Sequence, residues 1–138
     1  MSLLNIFDIA GSAMSAQTVR MNVTASNMAN LDAVSSSTGE TYRARHPVFE
    51  TVYSDIMRDD SISNGVRVAG IIESQAPLRE EYRPEHPKAD ENGYIFYPNV
   101  NSIEEMTNMI SASRTYQNNV EIINASKQML LRTLSIGQ

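Results

Sequence analysis

The sequence predicts an α+β protein. Long N- and C-terminal helices are paired as an antiparallel coiled coil, with a small β-rich middle domain inserted between them. Three observations carry this. Ser102 to Leu134 contains no Gly and no Pro. Its apolar or small residues Met109, Ala112, Tyr116, Val120, Ile123, Leu130 and Leu134 recur at steps of three or four, broken once at Lys127, which is the period of one helix face. Residues 3–31 carry the same period through Phe7, Ala10, Met14, Gln17, Met21, Thr24, Met28 and Leu31. Between these stretches the chain changes to short β-branched runs punctuated by Asn-Gly and Pro.

The C-terminal stretch has helix signals at both ends. Ser102 is a competent N-cap, and Glu105 stands three residues on, as in a capping box. Glu104 and Glu105 suit the first turn and Arg132 the last, with Gly137 as a stop. Such a helix is about 50 Å long. A core made from 138 residues cannot cover it, so it needs a partner of similar length. The N-terminal stretch supplies one. It mixes helix formers with Ser, Thr and Asn and holds Gly11 inside, so its intrinsic helicity is weak and it depends on packing. Leu3, Ile6, Ile9, Ile110, Ile122 and Leu131 lie off the main stripes and are also apolar. Apolarity on two sides of a thin helix pair predicts neighbours beyond the partner helix.

Asn22, Asn27 and Asn30 crowd the end of the first helix, where Asn favours turning out. Residues 32–41, small and polar with Gly39, read as a loop whose plain interpretation is a mobile linker. Val48, Phe49, Val52 and Tyr53 form a short apolar segment compatible with strand or helix. Asn64-Gly65 signals a tight turn leading into the strand candidate VRVAGIIES. Gln75 to Pro87 carries three prolines and reads as extended or irregular. Asn92-Gly93 marks a second turn before the strand candidate YIFYPNV. The expected boundaries are 1–31 for the first helix, 32–101 for the loop and middle domain, and 102–138 for the last helix.

Composition narrows the function classes. A net charge of −5 and a pI of about 4.9 argue against nucleic acid as a partner. The chain has no cysteine, which removes disulfides, thiol catalysis and cysteine zinc sites. No stretch reaches the apolar length of a membrane span. The start, MSLLNIFDIAGSAM, lacks a basic region and places Asp8 among its apolar residues, so no cleavable signal peptide is expected there. His46 and His86 each precede a proline and read as loop residues ahead of rigid bends, rather than as a metal pair. Asp90-Glu91-Asn92-Gly93 lacks the ligand spacing of a calcium loop and reads as a solvated turn. Glu80, Glu81 and Glu85 lie among Arg79, Arg83 and Lys88, a mixed-charge surface. With no phosphate loop and no Gly-flanked nucleophile, no catalytic residue, cofactor, small-molecule substrate or metal is expected.

The segment ASNMANLDAVSSSTGETYR, residues 25–43, resembles the Asn-Ala-Asn signature that follows the first helix of bacterial flagellar axial proteins. Residues 86–138 resemble the end of the flagellar basal-body rod proteins of the proximal rod, protein C type, most specifically in GYIFYPNVN and EEMTNMISASRTYQNNVE. GVRVAGIIE at 65–73 fits as well. The signature positions are Asn27, Ala29, Asn30, Gly93, Tyr94, Pro98 and Asn99. The resemblance implies a structural subunit whose terminal helices form an inner tube, with the middle domain outside it. It implies unfolded export through the flagellar type III machinery, and assembly into the periplasmic rod that carries torque from the inner-membrane ring to the hook. The implied partners are other rod proteins, the inner-membrane ring and the export apparatus. The expected packing and subunit-interface residues are Phe7, Met14, Met21, Met28, Leu31, Met109, Tyr116, Val120, Ile123, Leu130 and Leu134. A soluble coiled-coil adaptor or chaperone is the alternative that the paired helices alone would also fit.

Overall fold

The computed structural model describes residues 3–53 and 64–136. Two long helices flank four strands in the order α1 (Leu3–Ala29), β1 (Arg45–Tyr53), β2 (Asn64–Glu73), β3 (Arg79–Tyr82), β4 (Tyr94–Tyr97), α2 (Ser102–Ile136). The fold is α+β. β1 and β2 form one antiparallel pair, with an irregularity between Val48 and Phe49, and β3 and β4 form another. α1 packs against α2 and against both strands of the first pair. α2 packs against α1 and against no named strand.

The helices end by identifiable chemistry. Asn30 donates its amide N–H to the Ser26 and Asn27 carbonyls, and its side-chain Nδ2 donates to the Ser26 carbonyl at 2.8 Å. These bonds satisfy carbonyls left open at the end of α1. Leu31, expected as the last helical position, therefore sits in the turn beyond the helix. At the start of α2 the cap is Asn101, not Ser102. Asn101 Oδ1 accepts from the Ile103 N–H at 3.1 Å, and its carbonyl accepts the first helical bond from Glu105. Ser102 is the first helical residue instead. Arg132 falls short of the last turn, because α2 continues to Ile136. Gly137, the expected stop, lies outside the described residues.

The middle region corrects two local expectations. Asn64-Gly65 is no turn: Asn64 pairs with Tyr53 and Gly65 with Val52, both inside the β1–β2 ladder. The stretch read as irregular contains β3, four residues paired with β4. Asn92-Gly93 does turn. Gly93 has φ +82, and Asp90 Oδ1 accepts the Asn92 and Tyr94 N–H groups. A side chain at Gly93 would also run into the Tyr82 ring and Pro84. The loop at 32–41 is tied down. Ser35 and Phe96 exchange two backbone hydrogen bonds, and buried Thr41 donates to the Ser37 carbonyl at 2.7 Å.

The buried residues are small. The buried apolar set among the described residues is Ala10, Ala16, Val23, Ala44, Ile95 and Ala112, joined by buried Thr24, Asn27, Thr41, Glu105 and Ser126. Ile95 anchors the β3–β4 unit, while the helices approach through Ala and short polar side chains.

Candidate functional site

Two features stand out: a polar joint between the helices and the middle region, and the partly uncovered helix faces. The joint centres on Asn27, whose side chain is fully buried. Asn27 Nδ2 donates to the Arg45 carbonyl at 2.9 Å, and Oδ1 accepts from the Arg45 N–H at 2.9 Å and the Tyr42 hydroxyl at 2.8 Å. The amide thus bonds to the first residue of β1 as a neighbouring strand would. Ser26 Oγ lies 3.3 Å from the same Tyr42 hydroxyl. The Arg45 guanidinium stacks over the Tyr42 ring and pairs with Glu73 at 3.1 Å. Asn99, just before α2, repeats the device. Its Oδ1 accepts from the Ala44 N–H at 2.8 Å, and its Nδ2 donates to the Ala76 carbonyl at 2.9 Å. Two asparagine amides therefore hold residues 44 and 45 from opposite ends of the sequence.

Asn27 and Asn99 were both signature positions, but their sequence context gave no sign of burial. The other signature residues divide. Gly93 and Pro98 are buried, Asn30 is half-buried as the α1 cap, and Ala29 and Tyr94 are exposed. Tyr94 packs edge-on against Tyr82, with ring centroids 5.3 Å apart.

Phe7, Met14, Met21, Met28 and Leu31 are half-buried, as are Met109, Tyr116, Val120, Ile123 and Leu130. Leu134 is 64% exposed. The buried positions on the two helices are instead Ala10, Ala16, Val23, Thr24 and Asn27 on α1 and Glu105, Ala112 and Ser126 on α2. Glu105, Ala112 and Ser126 share a heptad spacing that apolar periodicity alone does not reveal, because only one of them is apolar. Gln17 Oε1 on α1 is buried with no hydrogen-bond partner among the described residues. Arg20 on α1 donates to Asn108 Oδ1 on α2 at 2.9 Å. Ile103, Met106, Ile110, Ile122, Met129, Leu131 and Leu134 remain exposed along α2. Single exposed apolar residues are ordinary, but seven on one helix leave apolar area on several of its sides.

The histidines lie in different settings. His46 is on β1 opposite Ile72, beside a hollow lined by Arg20, Thr24 and Phe49. His86 is in a turn, where Nδ1 accepts the Lys88 N–H at 3.1 Å. Among the described residues no three His, Asp or Glu side chains gather as a metal site would require. No helix among the described residues is long and apolar enough to cross a membrane.

The chain is thus a helix pair with exposed apolar residues, hydrogen-bonded to a β region through Asn27 and Asn99. The comparisons give the class. Residues 7–35 match the model of the flagella basal body rod protein family, and residues 91–136 match that of the flagellar basal body rod FlgEFG protein C-terminal region. The chain is 51% identical to flagellar basal-body rod protein FlgC of Salmonella typhimurium, with both chains covered completely. Over the full length of both chains it is 52% identical to FlgC of Yersinia enterocolitica and 43% identical to FlgC of Buchnera aphidicola from Acyrthosiphon pisum. The chain belongs to the flagellar basal-body rod protein family, within which these FlgC proteins are its relatives, and it is a structural subunit of the rod.

Proposed function

We propose that α1 and α2 pair antiparallel as a coiled coil and form the inner tube layer of the proximal rod, with residues 32–101 as the outer domain. The subunit transmits motor torque and performs no catalysis. Its partners are other rod proteins, the inner-membrane ring and the export machinery, which carries it unfolded to the periplasmic basal body. The observation that carries this reading is the set of exposed apolar residues along α2, a helix whose single packed neighbour among the named elements is α1. Open, head-to-tail contacts between copies would cover such a surface. The antiparallel pairing is supported by the Arg20–Asn108 bond, which joins the end of α1 nearer the middle region to the start of α2.

Met21 and Ile123 are half-buried in the single chain and become fully buried interface positions in this reading. Met21→Asp or Ile123→Asp then buries an unpaired carboxylate, a cost of about 3–5 kcal/mol per contact. Both variants are expected to be exported yet unable to build a rod, so swimming is lost. Glu81→Ala removes only an exposed-edge pair with Arg83 and is expected to swim normally. Motility on soft agar, with export followed separately, measures both. Normal swimming by Met21→Asp would rule the interface out.

A further inference from the structure

The turn before β4 contains a reactive dipeptide, Asn92-Gly93. The backbone nitrogen that follows an asparagine can attack the side-chain amide carbon Cγ, and glycine, with no side chain, leaves that approach open. Here the attack joins Gly93 N to Asn92 Cγ and closes a cyclic imide. The bond from Cγ to the side-chain nitrogen breaks, the Gly93 N–H proton ends on that nitrogen, and ammonia leaves. Water then opens the imide at either carbonyl. One product is aspartate. The other is isoaspartate, whose main chain runs through Cβ and Cγ and is longer by a methylene. Water is the co-reactant throughout.

The folded turn blocks this attack at the nucleophile. Gly93 is buried, whereas Asn92 is exposed. The Gly93 N–H donates to the Asp90 carbonyl at 3.0 Å, and the Gly93 carbonyl accepts the Arg83 N–H at 2.8 Å. Asp90 Oδ1 accepts the Asn92 N–H at 2.9 Å and the Tyr94 N–H at 2.7 Å. Tyr82 and Pro84 close the space over Gly93, at 2.9 and 3.1 Å from where a Cβ would stand. Gly93 N can therefore neither lose its proton nor swing toward Asn92 Cγ until the turn opens.

We propose that Asn92 is a site of spontaneous deamidation gated by folding, silent while the β3–β4 unit is formed and reactive in a chain that stays unfolded. Isoaspartate at this position then bars refolding. Its added methylene falls between the two N–H groups that Asp90 Oδ1 holds together, and it drives Gly93 against Tyr82 and Pro84. The next residues are β4, whose Ile95 is the fully buried side chain of the unit. Chains that fold promptly escape the mark, and chains that linger unfolded acquire it and lose the β3–β4 pairing.

The test uses the full-length chain, aged in warm, mildly alkaline buffer with and without guanidinium. Tryptic peptides 59–67 and 89–114 separate its two Asn-Gly pairs, and fragmentation in the mass spectrometer distinguishes aspartate from isoaspartate. In guanidinium, Asn64 and Asn92 should react at similar rates, since no structure holds either. In buffer alone Asn92 should react about tenfold more slowly or less, because the turn must open first. Asp90→Ala removes the carboxylate that closes the turn and should raise the Asn92 rate in buffer severalfold, with circular dichroism showing that the rest of the chain still folds. Asn92→Asp reproduces the aspartate product without the methylene and should fold as the parent does. After ageing in guanidinium and dilution, chains with isoaspartate should stay open to trypsin after Arg79 in β3, and unreacted chains should not. Equal Asn92 rates with and without guanidinium, no rise in Asp90→Ala, or recovery of protection at Arg79 by isoaspartate chains would each overturn the proposal.

Discussion

Asn27 concentrates more of the fold in one side chain than any other residue described. Its amide serves the Arg45 N–H, the Arg45 carbonyl and the Tyr42 hydroxyl at full burial. Asn27→Leu would leave these groups unpaired, at about 1–3 kcal/mol each where water cannot enter. We expect a loss of at least about 3 kcal/mol in urea unfolding. Asn27→Asp keeps the acceptor but sets a second oxygen against the Arg45 carbonyl and buries a carboxylate, so at neutral pH it should cost as much or more. Gly11 tests the opposite direction. It is exposed within α1, and a Cβ there would meet nothing within 4 Å. Gly11→Ala should stabilise the free chain by about 0.5–1 kcal/mol through reduced freedom of the unfolded state. A destabilised Gly11→Ala chain in the same unfolding assay would mean that the helix bends at this point. At this scale the sequence was readable only in part. Asn27 and Gly93 stood in recognisable segments, but an Asn that caps a helix and an Asn buried within a joint look the same in one dimension.

The helices were legible as elements, and their partners less so. Long stretches free of Pro with steps of three and four residues leave few alternatives, and α1 and α2 lie where that period placed them. Short elements were harder. β3 is four residues between Pro77 and Pro84, and proline punctuation outweighed any strand signal there. Asn64-Gly65 carries turn chemistry, yet cross-strand pairing with Val52 and Tyr53 draws it into the ladder. Asn101 and Ser102 are both competent caps, and the backbone geometry chose the first. The larger residues of the apolar stripes, Phe7, Met14, Met21, Tyr116 and Val120 among them, are only half-buried. Small residues such as Ala10 and Ala112 take the covered positions, and the methionines lie at the margins. Antiparallel pairing predicts its own register. The helix ends nearest the middle region should lie at similar height, setting Met14 near Val120 and Met21 near Ser113, with the Arg20–Asn108 bond moving this by one or two turns. Cysteine at Met14, combined in turn with cysteine at Tyr116, Val120, Ile123 and Lys127, should crosslink within one chain best at Tyr116 or Val120. A maximum near Ser102 to Met106 instead would mean parallel helices, or pairing between different subunits.

For the molecule as a whole, the distribution of covered surface predicts where the free chain is weakest. α1 has 27 residues and α2 has 35, so α2 extends about 12 Å further than its partner can follow. Met129, Leu131 and Leu134 are exposed at that end; its last buried residue is Ser126, and beyond it only Leu130 is half-buried among the described residues. A helix without packing on its apolar side has little stability in water, so this segment should open independently of the rest. The middle region differs: the Asn27 and Asn99 clamps, the Ser35–Phe96 bridge and buried Ile95 connect it at several points. Trypsin added to dilute free chain should therefore cut first after Lys127 and Arg132, before Arg43 or Arg79 in the middle region. If neighbouring subunits cover the same segment in assembled rods, cleavage at Lys127 and Arg132 should slow by about two orders of magnitude, the change expected when opening costs roughly 3 kcal/mol more. Mass spectrometry of the early fragments reads the order of cutting directly. First cleavage in the middle region of the free chain would place the weak element elsewhere, and equal cleavage rates in free and assembled protein would mean that the exposed end of α2 is not what assembly covers.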